Sequence, residues 1–284
     1  VLLAVALFAV LLVDPLAVMA PGFWLSFAAV AVILYTLSGA DAKDWKERLV
    51  AWGRLQWAVA VGLLPVLLLL FQQASISGPV ANLIAIPVIE ALVIPATLLG
   101  VVAMLALPDS MAPWPFFLAA AALEHLWIPL EALARLPGTL WSQHTPAFWT
   151  VAAAVTGAAL LLAPRGVPAR WLGLVWLLPM FLVRPALPAP GAAWLTLLDV
   201  GQGLSVVVQT AGHTLVYDTG ARLSARFDAG RAVVVPYLRH AGVGRVDTLI
   251  VSHGDNDHIG GSTSLLAAMP VMRVLSSVPE RLAN

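Results

Sequence analysis

The chain has 284 residues, 61% of them hydrophobic and only 11% charged, with a mean hydropathy of +0.92. Soluble domains carry about 25% charged residues, so this is the composition of an integral membrane protein. Fifteen basic against fifteen acidic residues and a pI near 7.2 remove any bulk electrostatic case for nucleic-acid binding and leave local contacts, and the lack of cysteine excludes a disulfide framework or a thiolate metal site.

The sequence enters at Val1 within an apolar run and stops at Asn284 soon after its most distinctive motif, and is expected to be an internal fragment. Leu2–Val13 is apolar and ends at Asp14-Pro15; Phe23–Leu37 follows, with Trp24 placed as an interfacial aromatic. Lys43, Lys46, Arg48 and Arg54 form the densest basic cluster, cytoplasmic under the positive-inside rule. Within it, Asp44-x-x-Glu47 suits a short capped helix at the interface. Leu55–Phe71 then spans, with Pro65 as a tolerated kink. Val80–Leu107 is long for one span and is interrupted by Pro87, Glu90 and Pro95. Glu90 is either a packing residue or a group lining a pathway, because a carboxylate at membrane depth must face protein, water or a cation.

Pro115–Leu136 puts Glu124, Ile128, Glu131 and Arg135 on one stripe at helical spacing. Such a helix either lies flat in the interface or spans while lining a wet cavity. If it spans, Ala147–Ala163 returns inward, Arg165 and Arg170 are cytoplasmic, and Trp171–Leu187 exits, which sets everything after about residue 190 on the outer face. If it lies flat, that part is cytoplasmic.

Pro185, Pro188 and Pro190 stiffen a linker at 188–192 between a membrane bundle, 1–187, and a second domain, 193–284. Each part holds nearly equal charge, eight basic and eight acidic residues before 188 and seven of each after, so charge density rises in the shorter second part. There the period turns strand-like: Trp194–Val200, Leu204–Thr210 and Thr214–Tyr217 are separated by Gly201-Gln202-Gly203 and Ala211-Gly212-His213. Arg231–Ala241 reads as a helix interrupted by Pro236, Val246–Ser252 as a buried strand, and Ser262–Met269 as a helix, the opening half of a layered α/β domain.

The chemistry concentrates in His253-Gly254-Asp255-Asn256-Asp257-His258, which follows that strand directly. In an extended loop His253 and Asp255 share a side and can grip one cation while Asp257 and His258 turn toward a second. Two divalent ions so held can activate water near neutral pH and stabilise the leaving oxygen of a phosphoryl displacement; acyl hydrolysis is equally open to them. Two carboxylates and two imidazoles favour manganese, with magnesium or zinc as alternatives. A solvated loop in which Asp255 or Asp257 caps the helix near Gly260 accounts for one Asp and leaves both histidines unexplained. His125, His144, His213 and His240 read as surface or interface groups, and Arg222, Arg226, Arg231, Arg239 and Arg245 as surface arginines with the option of phosphate contacts.

Leu198-Asp199-Val200-Gly201-Gln202-Gly203, Val216-Tyr217-Asp218-Thr219-Gly220 and Val251–Gly261 resemble the metallo-β-lactamase-like domain of the ComEC family of competence proteins. Gly22–Phe27 and Gly78–Pro87 resemble two signatures of that family's membrane domain, in the same order, so the resemblance covers nearly the whole chain. It implies a multi-pass α-helical membrane bundle followed by the N-terminal part of an αββα metallo-β-lactamase-like domain. The family function is an inner-membrane channel that passes single-stranded DNA inward during natural transformation, working with other DNA-uptake proteins in membrane lipid, with an attached metal-dependent nuclease. By position His253, Asp255, Asp257 and His258 are then metal ligands, Asp257 and His258 also serving catalysis. Asp218 orients the ligand loop, and Asp199 shapes the turn beneath it. Leu204 stands where the family often has Asp, and further ligands are implied beyond Asn284. Two readings compete: a membrane-tethered hydrolase of an envelope phosphodiester or ester with the helices as scaffold, and a channel whose second domain is silent.

Overall fold

The computed structural model describes residues 1–37, 44–106, 108, 112–164, 166–225 and 227–281; Lys43, Arg165 and Arg226 therefore lie outside the described residues. The chain divides into two compact units, residues 1–141 with 151–179 and residues 142–150 with 180–284.

The first unit is helical. Its elements are α1 (Leu2–Val13), α2 (Pro21–Leu37), α3 (Trp45–Phe71), the short β1 (Gln73–Ser75), α4 (Gly78–Val88), α5 (Ile94–Ala106) and α6 (Trp114–Ala134). After β2 (Leu140–Ser142) come α7 (Phe148–Leu162) and α8 (Gly173–Leu182), which complete it and run across the boundary between units. Among the described residues three helical runs are long and apolar enough to cross a membrane: α3, Gly78–Ala106 and α6. Most of their surface is unburied by protein, as a lipid-facing helix requires.

Three local outcomes refine the reading of this unit. Asp44 does cap a helix, its Oδ1 accepting from Glu47 N at 2.8 Å, but that helix is α3 itself. No proline falls between Trp45 and Leu64, so the basic segment continues into the span as one 27-residue rod. In Gly78–Ala106 the interruptions produce a π turn at Ile89–Val93, where Ile94 N–H reaches back to Ile89 O. Pro95 has no N–H to give residue 91 and its ring crowds that carbonyl, which a widened turn relieves. Finally, α8 has 10 residues and stops at Leu182 rather than Leu187. Ten residues rise about 15 Å, half of a bilayer core of about 30 Å, so a crossing here would draw on the flanking residues as well as α8.

The second unit is built on a five-stranded sheet in the order β3 (Trp194–Leu197), β4 (Val206–Gln209), β5 (Thr214–Tyr217), β6 (Thr248–Val251), β7 (Val274–Ser276). β3, β4 and β5 pair antiparallel as consecutive strands, as the glycine-punctuated sequence leads one to expect. β6 and β7 add parallel, each after a helical crossover. A π turn at Gly230–Val234 with α9 (Val235–His240) forms the first crossover, and α10 (Asn256–Ile259) with α11 (Ser262–Ala268) the second. Val207, Val216, Leu249 and Val251 from the sheet pack with Val234, Val235, Leu238 and Leu265 from the helices into one core. Parallel strands order the edges: β5 and β6 both end at the same edge, and Asp218 and Ser252 begin there.

Candidate metal centre and membrane carboxylates

Asp218 follows β5 in the left-handed region, at φ +57, and is fully buried. That conformation swings its carboxylate beside the end of β6. Its Oδ1 accepts from Ser252 N at 2.8 Å, and its Oδ2 accepts from Ser252 Oγ at 2.6 Å and from His258 Nδ1 at 2.8 Å. The protons in this network are determined by their partners. A carboxylate accepts, so His258 carries its proton on Nδ1. Ser252 has spent its hydroxyl proton on Asp218, so at 2.9 Å its oxygen accepts from His253 Nδ1. Both imidazoles are thus held as the Nδ1–H tautomer, and both Nε2 lone pairs are free to bind a cation.

The backbone of the motif is fixed from several sides. Leu204 N–H donates to Asp257 O at 3.1 Å, Thr219 donates both its N–H and its hydroxyl to His258 O, and Asn256 exchanges hydrogen bonds with the backbone of Arg222. Gly203, at φ +123, lets its strand approach closely: a Cβ there would stand 2.1 Å from Asp257 O. Asp199 is exposed and accepts from Gly201 N at 3.1 Å, closing the turn that leads to Gly203. Arg281 donates to Gly254 O.

One ligand atom from each of His253, Asp257 and His258 lies within 4.8 Å of the others; among the described residues this is the one group of three such side chains. The two imidazole rings are 3.8 Å apart, Asp257 Oδ2 is 3.7 Å from His258 Nε2, and Asp255 Oδ2 is 3.4 Å from His253 Nε2. The expected division, His253 with Asp255 and Asp257 with His258, is present as two close pairs, but both histidines and Asp257 converge on one place while Asp255 stays largely exposed. Asp255 precedes α10 without a side-chain capping bond, so capping does not account for it. With the tautomers fixed, lone pairs face carboxylates with no donor between them. That donor set fits a divalent cation. Ser252, Thr219 and Asn256, which hold it, are polar residues inside the quoted motifs whose roles depend on which strand ends meet.

Three of the other four histidines are engaged elsewhere: His125 Nδ1 donates to Ala121 O, His144 Nε2 to Val183 O, and His240 Nδ1 meets Thr145 Oγ1, while His213 sits in the turn between β4 and β5, its backbone bonded to Thr210. Of the membrane carboxylates, Glu90 sits in the π turn and lines a hollow of about 470 Å³ with Trp45, Arg48, Leu49, Trp52 and Pro87. Trp52 Nε1 is buried and finds no hydrogen-bond partner among the described residues. Glu131 accepts from Arg135 at 2.8 Å on an exposed helix face, and Glu124 is exposed on the same helix.

Comparison with known proteins follows the same division. Residues 1–168 match the family model described as "Competence protein", and residues 198–281 match "Metallo-beta-lactamase superfamily". The chain is 37% identical over 262 residues to competence protein ComA of Neisseria gonorrhoeae, covering 90% of this chain and 35% of that protein. It is 27% identical over 303 residues to recombination protein 2 of Haemophilus influenzae, 93% of this chain and 37% of that one. A shorter match, 40% over 68 residues, joins it to a hydroxyacylglutathione hydrolase of Stenotrophomonas maltophilia, 24% of this chain and 26% of that enzyme. The chain thus spans little more than a third of the length of the two competence and recombination proteins. No solved structure matches it. With its apolar spans and its two family matches, the chain is a membrane protein of the competence protein family and carries a metallo-beta-lactamase-like second unit.

Proposed function

We propose that this chain is part of a bacterial inner-membrane channel that takes up single-stranded DNA during natural transformation, and that its second unit, on the outer face, hydrolyses phosphodiesters. The observation that carries this reading is the union in one chain of membrane helices of the competence family with a cluster of acceptors, His253, Asp257 and His258, that lacks any internal donor. In this proposal His253, Asp255, Asp257 and His258 hold two divalent ions, manganese in preference to zinc or magnesium. When bound, those ions supply Lewis acidity and an activated water. The chain's own part is to hold both Nε2 lone pairs outward through Asp218 and Ser252 and to keep Asp257 against His258. Asp199 shapes the adjacent turn. Glu90, with Arg48 in the same hollow, is proposed to line the DNA path; Glu124 and Glu131 are weaker candidates because both sit on an exposed helix and Glu131 is already paired. Other DNA-uptake proteins and the surrounding lipid are its partners.

A membrane-tethered hydrolase with the helices as scaffold is the second reading, favoured by the match to a hydroxyacylglutathione hydrolase. Transformation separates the two. In cells carrying the full-length protein, Glu90→Gln should lower uptake of labelled DNA without altering membrane insertion, and His253→Ala should abolish nuclease activity. Normal uptake in Glu90→Gln, Glu124→Gln and Glu131→Gln alike would leave the tethered hydrolase standing. Protease protection of residues 190–284 in sealed spheroplasts reports the side, protection placing the unit in the cytoplasm.

A further inference from the structure

The second unit contains a cavity that the metal cluster does not use. It has a volume of about 460 Å³ and is lined by Arg184, Arg239, His144, Gln143 and the Gly242–Gly244 backbone, among others. Gly242–Gly244 comes just before β6, and Ala268–Pro270, also in its wall, comes before β7. The cavity therefore opens at the N-terminal edge of the parallel strands, whereas His253–His258 follows β6 at the C-terminal edge.

Its walls are tied together. Gln143 Nε2 donates to Met180 O at 3.1 Å, His144 Nε2 donates to Val183 O at 2.7 Å, and His240 Nδ1 lies 2.8 Å from Thr145 Oγ1. Gly242, at φ +73, packs so near Pro185 and His144 that a Cβ would sit 3.1 Å from the proline ring. Arg184 and Arg239 line this frame, and among the described residues neither has an ion-pair partner. Among the described residues no carboxylate lines the cavity. Two cationic side chains without a counter-charge in the lining of a space of ligand size call for an anion with several acceptor oxygens.

The position of the walls selects the anion. Arg184 stands two residues after Leu182, where the apolar helix α8 ends, and Gln143 and His144 stand a few residues before Phe148, where α7 begins. Leu182, Phe148 and Trp149 are exposed there, as aromatic and aliphatic groups are where a helix meets the headgroup layer. Among the described residues no aromatic ring but that of His144 lines the cavity, so it offers little on which a nucleobase could stack. We infer that this cavity binds the phosphate of an anionic phospholipid headgroup, with Arg184 and Arg239 as its ligands and the acyl chains lying along exposed Phe148, Trp149 and Leu182. The inference stands apart from the metal centre and from the DNA-uptake reading.

The test is thermal unfolding of the detergent-purified chain, titrated separately with short-chain phosphatidylglycerol, short-chain phosphatidylcholine, inorganic phosphate and an oligo-thymidine. Phosphatidylglycerol should raise Tm saturably while the other three do not. Arg184→Gln and Arg239→Gln should each weaken that half-saturation about tenfold, the loss of one charged hydrogen-bonding partner, and Arg135→Gln should leave it unchanged. Each shift is read against the same variant without lipid, so a less stable variant still reports. Arg184→Lys and Arg239→Lys, which keep the charge, should bind better than the glutamines. Equal protection by phosphatidylcholine, protection by phosphate or by the oligonucleotide that depends on the two arginines, or lysine variants as weak as glutamine variants would each overturn the inference, as would no shift at all.

Discussion

Asp218→Asn is the most informative single substitution, because it keeps the shape of a fully buried side chain and changes only what it can accept. The carboxylate takes three hydrogen bonds of 2.6 to 2.8 Å, from Ser252 N, Ser252 Oγ and His258 Nδ1. An amide retains one acceptor oxygen and turns the other position into a donor. If the oxygen stays with Ser252 N, an NH2 then meets a hydroxyl and an imidazole N–H, and the loss of two charged hydrogen bonds costs about 3 kcal/mol or more. The substitution also frees the histidine tautomers. His258 is no longer obliged to keep its proton on Nδ1, and Ser252, able to donate elsewhere, no longer fixes His253. Affinity for a divalent ion should fall about 10-fold to 100-fold, the usual effect of removing a partner that orients a ligand histidine. Manganese titration of the detergent-purified chain by calorimetry measures this, with near-ultraviolet circular dichroism as the check on folding. A folded Asp218→Asn protein that binds manganese with the wild-type Kd would refute the proton assignment and the orienting role together.

Three further outcomes follow from the same geometry. Gly203→Ala should lower stability by about 2 kcal/mol or more, because a Cβ at φ +123 meets Asp257 O; an unchanged Tm would contradict the close approach. Thr219→Val should cost about 1–3 kcal/mol, since it leaves buried Ser262 without the hydroxyl 3.0 Å away and removes one of two donors to His258 O; chemical denaturation checks it, and a neutral result would mean Ser262 finds another partner. Glu131→Gln should change stability by less than about 1 kcal/mol, because its pair with Arg135 is on an exposed helix face; a larger loss would show that Glu131 faces protein or a wet cavity instead.

The parts legible in the sequence were those in which one residue type has one physical use. Gly201–Gly203 and Ala211–His213 punctuate the strands, Asp44 caps a helix, and the β-branched runs at 206–209 and 248–251 became strands of the core. What escaped depended on distance or context. β7, three residues with two of them exposed, has no pattern of its own and exists because β6 offers an edge. The π turn at Ile89–Val93 was visible only as an interruption, since proline spacing says that a helix is disturbed and not how it adjusts. Ser252 reads as the end of a strand; its bridging of Asp218 and His253 needs β5 and β6 to run parallel and end together, a pairing of residues 33 positions apart.

Backbone strain separates the metal cluster from ordinary structure more sharply than its composition does. Three non-glycine residues among those described adopt positive φ: Gln72, Ala169 and Asp218. Gln72 is the residue that ends α3, and Ala169 precedes the turn at Arg170–Leu172, so both lie at helix boundaries where a left-handed residue satisfies or redirects terminal groups. Asp218 lies at no helix end. It follows a strand, is fully buried, and puts a carboxylate where an apolar side chain would pack without desolvation cost. Its backbone stays tied to the sheet, Asp218 N–H bonding Ile250 O and Asp218 O accepting from Ser205 Oγ. The conformation is what aims both carboxylate oxygens at Ser252 and His258. A residue that is both strained and buried, and whose carboxylate accepts from Ser252 and His258, is what the proposed cation site draws on, while its backbone oxygen, which accepts from Ser205 Oγ, serves the fold.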